Sequence, residues 1–313
     1  MGDNDVVCLM ARDLAALCDL HIIDAGLYAP EPSGWYKADV SLNPRRPIHW
    51  LDHNRVMAAV SETRADFTIV NAGGMSLRPE TAAKLRASGV VTVGISLSDP
   101  DVYPDHGIAY AHLYDLFYTN SRYSLEQQYA KKLNVRWLPF AASPNLHRPM
   151  PEVHKIYDVV IVGHARPERI QMVKKLRRHF TVGLFGNGWG AGSRSVHGEE
   201  HVRAINSGRI YLSDSATVAG YMNVKVGLLE AAACRTCLVT QAFTEVGEFF
   251  RPGMDICLYE GGDDLVDVIR YYLSAPLVCD WLAENSYSRF LSEHTWESRW
   301  KEVLNDIRRC KLG

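Results

Sequence analysis

The chain has 313 residues, 47% hydrophobic and 22% charged, with a formal net charge of −2. That is long enough for two α/β domains with separate cores, and the near-neutral balance disfavours a nucleic-acid partner. No apolar run reaches the roughly 20 residues of a spanning helix, so no membrane span is expected. The opening stretch, MGDNDVV, has no basic region followed by an apolar run, and the seven cysteines mostly sit inside apolar patterns. Both features lead to the expectation of a cytoplasmic protein with reduced thiols and no signal peptide.

The first pattern is helical: Val6, Val7, Met10, Leu14 and Cys18. A doubly wound domain usually opens with a strand and a glycine turn, so the first sheet is expected to lack both. Short apolar runs then predict strands at residues 20–25, 66–71, 90–96, 116–119 and 135–139. Helical patterns separate them. Pro79 opens a helix over 80–87, where its missing N–H costs nothing. Ser121 is placed to cap a helix through Leu125, Tyr129 and Leu133. Such alternation makes a parallel sheet covered on both faces.

Residues 141–155 hold Pro144, Pro149 and Pro151 with no apolar periodicity and read as a linker. Strands resume at 157–163, 180–186, 209–213, 236–241 and 255–259. Helices over 263–273, 277–291 and 296–309 close the chain. Two doubly wound domains joined by a hinge predict a ligand cleft at the carboxyl ends of both sheets.

Several segments can carry chemistry. Glu230 is the lone carboxylate in a helix of leucines and alanines. An ionised carboxylate there needs a partner, either ligand hydroxyls or a basic side chain, unless it faces water. Gly163 ends the first strand of the second half, with Arg169 shortly after it. Residues 185–192, including Gly186, are glycine-rich but miss the dinucleotide spacing, so no nicotinamide site is expected. In the first half, Gly73 and Gly74 follow a strand, where backbone can approach a ligand. Asp99 ends a buried strand and is a candidate base or a turn residue. Asp99-Pro-Asp101 also has the form of a metal-binding Asp-x-Asp pair, ranked second because it leaves the second half unexplained. Cys234 and Cys237 form a lone C-x-x-C and are expected to be buried thiols. His106, His147 and His164 lie near the expected cleft loops.

The stretch 223–253 resembles the donor-binding core of glycosyltransferases with the GT-B fold, and is most similar to the CgeB-like, spore-maturation branch of the group 1 enzymes. The residues that carry the likeness are Asn223, Lys225, Glu230, Ala231, Ala233, Cys234, Glu245, Phe250, Pro252 and Gly253. His294-Thr-Trp-Glu-Ser-Arg299 matches the branch's His-Thr-x-x-x-Arg ending, with looser matches at residues 115–120 and 138–144. Met222, Lys225 and Arg235 depart from the wider group, which has Glu, Arg and Gly there; the missing Glu leaves the anomeric outcome open.

The resemblance implies two Rossmann-like doubly wound domains facing across a cleft. Residues 1–145 would be the acceptor side and 150–290 the donor side, with a helix over 291–313 packing back on the first domain. It implies transfer of a sugar from a nucleoside diphosphate sugar to a hydroxyl or amine, with no cofactor and no metal. Glu230 would bind the donor ribose, and Lys225 or Arg169 the diphosphate. Gly163, Gly186 and Asn223 would line the donor site. Asp99 would be catalytic, and Gly73, Gly74 and His106 would lie on the acceptor side. A sugar-nucleotide epimerase or hydrolase on the same fold and a non-catalytic binding protein are the rival readings.

Overall fold

The computed structural model describes residues 6–23, 49–71, 75–97, 99, 104–128, 134–190, 193–217 and 220–312. Contacts divide the chain into two units. One holds Cys18–Pro139, Thr217–Gly220 and Trp300–Gly313; the other holds Met1–Leu17, Phe140–Ala216 and Tyr221–Arg299.

The opening pattern forms helix α1 (Val6–Ala15), which belongs to the second of these units. Its buried Asp13 accepts hydrogen bonds from Ser143 Oγ at 3.0 Å and Asn145 Nδ2 at 3.3 Å. The expected strand at 20–25 is absent over its described part. Residues 20–23 are irregular, and Ile22 is 58% exposed; Leu20, Ile22 and Ile23, none of them buried, do not make a strand by apolarity alone.

The first unit opens with β1 (His49–Trp50), α2 (His53–Thr63), β2 (Phe67–Asn71) and β3 (Met75–Ser76). It continues through α3 (Pro79–Ala87), β4 (Val91–Ser96), α4 (Pro104–Tyr110), β5 (Leu116–Thr119) and β6 (Val135–Trp137). Strands β2, β4, β5 and β6 form a parallel sheet in that order, and β1 pairs with β3. Every residue of β4 and β5 is buried, as helices on both faces require. Asp52 caps α2, and Pro79 opens α3. Ser121 Oγ accepts from the N–H of Ser124, but the turn it caps, Ser124–Gln128, is π-helical. The chain's last residues join this unit: Asp306 accepts from Tyr118 Oη and pairs with Arg136, and Lys311 pairs with Asp66.

The second unit holds β7 (Tyr157–Val162), α5 (Pro167–Leu176), β8 (Val182–Phe185), α6 (Glu199–Asn206) and β9 (Gly208–Ser213). Then follow α7 (Val226–Ala233), β10 (Cys237–Gln241), α8 (Val246–Phe249), β11 (Cys257–Tyr259), α9 (Leu265–Ser274) and α10 (Pro276–Glu293); α11 (Trp296–Leu312) begins in this unit and belongs to the first from Trp300 onward. Its strands are all parallel, in the order β8-β7-β9-β10-β11. Val159, Ile161, Ile210, Leu212, Val239 and Ile269 fill one face of the core.

The proline-rich stretch read as a linker is fixed along this unit. Ala142 pairs with Thr295, the N–H of Met150 donates to Asn206 Oδ1, and Lys155 Nζ donates to the carbonyl of Gly208. Its lack of periodicity reflects irregular backbone tied down by polar contacts. Among the described residues no helix is long and apolar enough to cross a membrane, and all seven cysteines are unpaired. Cys234 and Cys237 are buried, as expected.

Candidate functional site

In a doubly wound sheet a ligand crevice opens where the strand order reverses, outside the carboxyl ends of the two strands concerned. In the second unit that point lies between β7 and β9. Gly163 leaves β7 and Asp214 leaves β9, so both lie at the reversal.

Gly163 and Gly186 end the neighbouring strands β7 and β8, with φ of 139° and 136°. A Cβ on Gly186 would sit 2.2 Å from the Gly163 carbonyl oxygen, and one on Gly163 would sit 2.7 Å from a guanidinium nitrogen of Arg169. Only glycine satisfies both the angle and the space. The Gly163 carbonyl accepts from Trp189 Nε1 at 2.8 Å. The glycine-rich loop is thus tied to the switch point through its tryptophan.

Arg169 is at this point, but committed to protein. Its Nε and one terminal nitrogen donate to Asp214 at 3.0 and 2.8 Å, and the other donates to the carbonyl of His164. Arg166 donates to the same carboxylate at 2.5 Å and to the carbonyl of Ala216. Burial alone would raise the Asp214 pKa; Arg169 and Arg166 outweigh it and hold the group below the carboxylate range. Two guanidiniums and one carboxylate leave one net positive charge at the switch point.

Glu230 lies on α7 and is 6% exposed. Its neighbours in the structure are basic side chains. His201 Nε2 on α6 lies 3.0 Å from Oε2, and His147 Nε2 in the 143–147 turn lies 3.4 Å from Oε1. Burial would raise the Glu230 pKa, but the two histidines outweigh it and pull it down to about 2. Burial lowers that of His147; Glu230 outweighs burial at His201 and raises it. A carboxylate offers about four lone-pair positions, so two histidines leave acceptor capacity for a ligand. Tyr211, buried on β9, is pushed up by burial and then by the charge of Glu230, and the Arg169–Asp214 pair acts on it too. Both clusters are therefore within electrostatic range of one residue.

Asn223 is 7% exposed with its Oδ1 unpartnered, and Lys225 is half-buried at the N-cap of α7 with no side-chain cap bond. The N–H of Val224 donates to Glu245 at 2.8 Å. Asp99, in the first unit, is 3% exposed. Its oxygens accept from Ser96 Oγ at 2.8 Å and Thr119 Oγ1 at 2.7 Å, which ties the ends of β4 and β5 together. His106 falls within α4. Gly73, Gly74 and Asp101 lie outside the described residues.

Sequence reasoning missed Arg166, Asp214 and His201. Asp214 had a usable signal, since it directly follows a buried strand, as Gly163 does. His201 had none: its role depends on the fold bringing α6 within 3.0 Å of Glu230 on α7, which no local pattern reports.

The His-Thr-x-x-x-Arg ending is also explained. Arg299 can only donate, so His294 Nδ1 accepts from it at 3.0 Å, and Nε2–H donates to the Phe249 carbonyl at 2.9 Å. The histidine is a buried, neutral tie between α10 and the Phe249-Phe250 segment.

Residues 166–305 match the model of a family described as glycosyl transferase-like. No curated protein sequence matches the chain. Among solved structures, sucrose-phosphate synthase of Thermosynechococcus elongatus is similar with a TM-score of 0.59 at 13% identity, over 82% of this chain and 76% of that one. HepE of Anabaena in complex with UDP-glucose is similar with a TM-score of 0.60 at 11% identity, over 82% of each chain. A glycosyltransferase from Rickettsia africae is similar with a TM-score of 0.57 at 10% identity, over 82% of this chain and 80% of that one. The chain has the GT-B fold of these proteins, and residues 166–305 carry the glycosyl transferase-like sequence.

Proposed function

We propose that this protein is a cytoplasmic glycosyltransferase of the CgeB-like kind, transferring a sugar from a nucleoside diphosphate sugar to a hydroxyl or amine without a metal. The observation that carries this is Glu230: a carboxylate kept ionised in a buried setting, within the segment that matches the glycosyl transferase-like family. In this reading the free acceptor positions of Glu230 take the ribose hydroxyls. HepE, a neighbour in fold, is bound to UDP-glucose in its solved structure, so a uridine nucleotide is the natural first probe.

The leaving diphosphate needs cations aimed at its developing charge. Lys225 at the N-cap of α7 and the net charge of the Arg166–Arg169–Asp214 cluster are the groups assigned to it. Asp214 lets two arginines stand together without repulsion and fixes their planes. Gly163 and Gly186 keep the strand ends clear of side chains, so backbone can approach the ligand. The unpaired cysteines are consistent with a reducing compartment.

A thermal-shift screen against nucleoside diphosphates and their sugars tests the reading. A ligand at a hundred times its dissociation constant adds about 2.7 kcal/mol. Stabilisation by one base's diphosphate and its sugar conjugates is expected; a flat response to all of them would contradict it.

A further inference from the structure

We propose that His147, His201 and Glu230 form a site for one divalent transition-metal ion of the zinc class, filled when no nucleotide is bound. The three side chains come from the 143–147 turn, α6 and α7 of a single unit. One ligand atom from each lies within 4.8 Å of the others. Tetrahedral bonds of about 2.05 Å to zinc would set ligand atoms roughly 3.3 Å apart. The histidine–carboxylate separations, 3.0 Å from His201 to Oε2 and 3.4 Å from His147 to Oε1, are of that size, so either carboxylate oxygen can serve as the third ligand after a small rotation of the carboxylate.

The second observation is His147 itself. It is 1% exposed; neither ring nitrogen makes a hydrogen bond of good geometry, and the Ser143 backbone is the smallest of the influences on its ring. Its Nε2 faces Glu230 Oε1 without making a hydrogen bond. A buried polar group left unsatisfied is costly, and each such group calls for an explanation. A buried imidazole beside a second imidazole and a carboxylate has a ring nitrogen to give to a metal ion. The set is two nitrogens and one oxygen, which suits zinc, copper or nickel and not magnesium or calcium. Three protein ligands leave the fourth tetrahedral position for water. The side chains of His201 and Glu230 are 13% and 8% exposed, which gives the ion a way in.

That the ion and a nucleotide compete rests on the assignment of Glu230 to the ribose. Such a metal blocks the donor and takes no part in transfer.

The test is titration of the chelator-stripped full chain with cobalt(II), followed by visible absorption. A single saturating equivalent is expected, with ligand-field bands and no thiolate-to-cobalt charge-transfer band, abolished in His201→Gln and in His147→Gln. Circular dichroism checks that both variants fold; His201, at the rim, is the safer of the two. No saturable band, a thiolate band, or binding unchanged in both folded variants would overturn the site. UDP is then added to the loaded protein. Release of cobalt by UDP but not by the same concentration of inorganic diphosphate, which chelates the ion and carries no ribose, supports both the site and the ribose assignment. Calorimetrically detected UDP binding with the cobalt retained upholds the metal site but overturns both the competition and the assignment of Glu230 to the ribose.

Discussion

His294 makes the stability of the second unit depend on pH in a predictable window. Its pKa is lowered to about 4, first by burial and then by the charges of Arg299 and Arg289, against the pull of the Phe249 carbonyl and Asp255. Protonation would place a proton on Nδ1, which faces the Arg299 guanidinium at 3.0 Å. In the unfolded chain the ring titrates near 6.5. The folded pKa is therefore depressed, so the stabilisation is fully present above 6.5 and is lost as pH falls towards 4. A gap from 6.5 to about 4 corresponds to about 3 kcal/mol, at up to about 1.4 kcal/mol per pH unit. His294→Gln retains an acceptor for Arg299 and a donor for Phe249 but cannot titrate. Urea transitions followed by the fluorescence of buried Trp296, from pH 7.5 to 4.5, should show wild type losing stability faster than the variant by roughly that amount. His147 acts in the same direction and His201 in the opposite one, and both are common to the two proteins. Parallel profiles for wild type and variant would refute the argument.

Gly186→Ala should lower stability by about 2–3 kcal/mol, because its Cβ meets the Gly163 carbonyl at 2.2 Å and φ is 136°; an unchanged melting temperature would contradict this. Asp99→Asn exchanges one of two acceptor oxygens for a donor and should cost about 1–2 kcal/mol in urea unfolding. An unaltered midpoint would release Asp99 from its role in tying β4 to β5. Transfer from the donor sugar should survive EDTA, since the cations assigned to the diphosphate are protein groups. Activity that vanished with chelator and returned with magnesium or manganese would contradict the metal-free assignment.

Much of the fold was legible because parallel strands buried on both faces are short continuous apolar runs. Residues 116–119 and 157–163 stand out for that reason, and the structure places strands there. The apolar run at 20–25 misled because apolarity alone cannot report whether a neighbour exists to pair with. The stretch 141–155 misled in the opposite sense. Its order comes from single polar contacts to Asp13, Asn206 and Gly208, and such contacts leave no period in the sequence. Glu230 stood out as a charge among alanines, but its partners did not, since His147 and His201 reach it from 83 and 29 positions away. Arg169 was placed near the right strand end. Its bidentate bond to Asp214 was hidden, because parallel pairing of β7 with β9 brings those ends together only in three dimensions.

The central claim is that Glu230 binds the donor ribose. Glu230→Ala is the poorer test, because it would leave His147 and His201 facing a cavity; Glu230→Gln keeps the shape and removes the charge. A hydrogen bond to a charged group contributes about 1.5–3 kcal/mol, and each 1.4 kcal/mol is tenfold in affinity. The direct measurement is a calorimetric cycle of UDP and 2′-deoxy-UDP against wild type and Glu230→Gln. The account predicts that wild type binds UDP at least about tenfold more tightly than the deoxy form, and that this preference largely disappears in the variant. The same preference in both proteins would contradict it and assign Glu230 to its histidines alone.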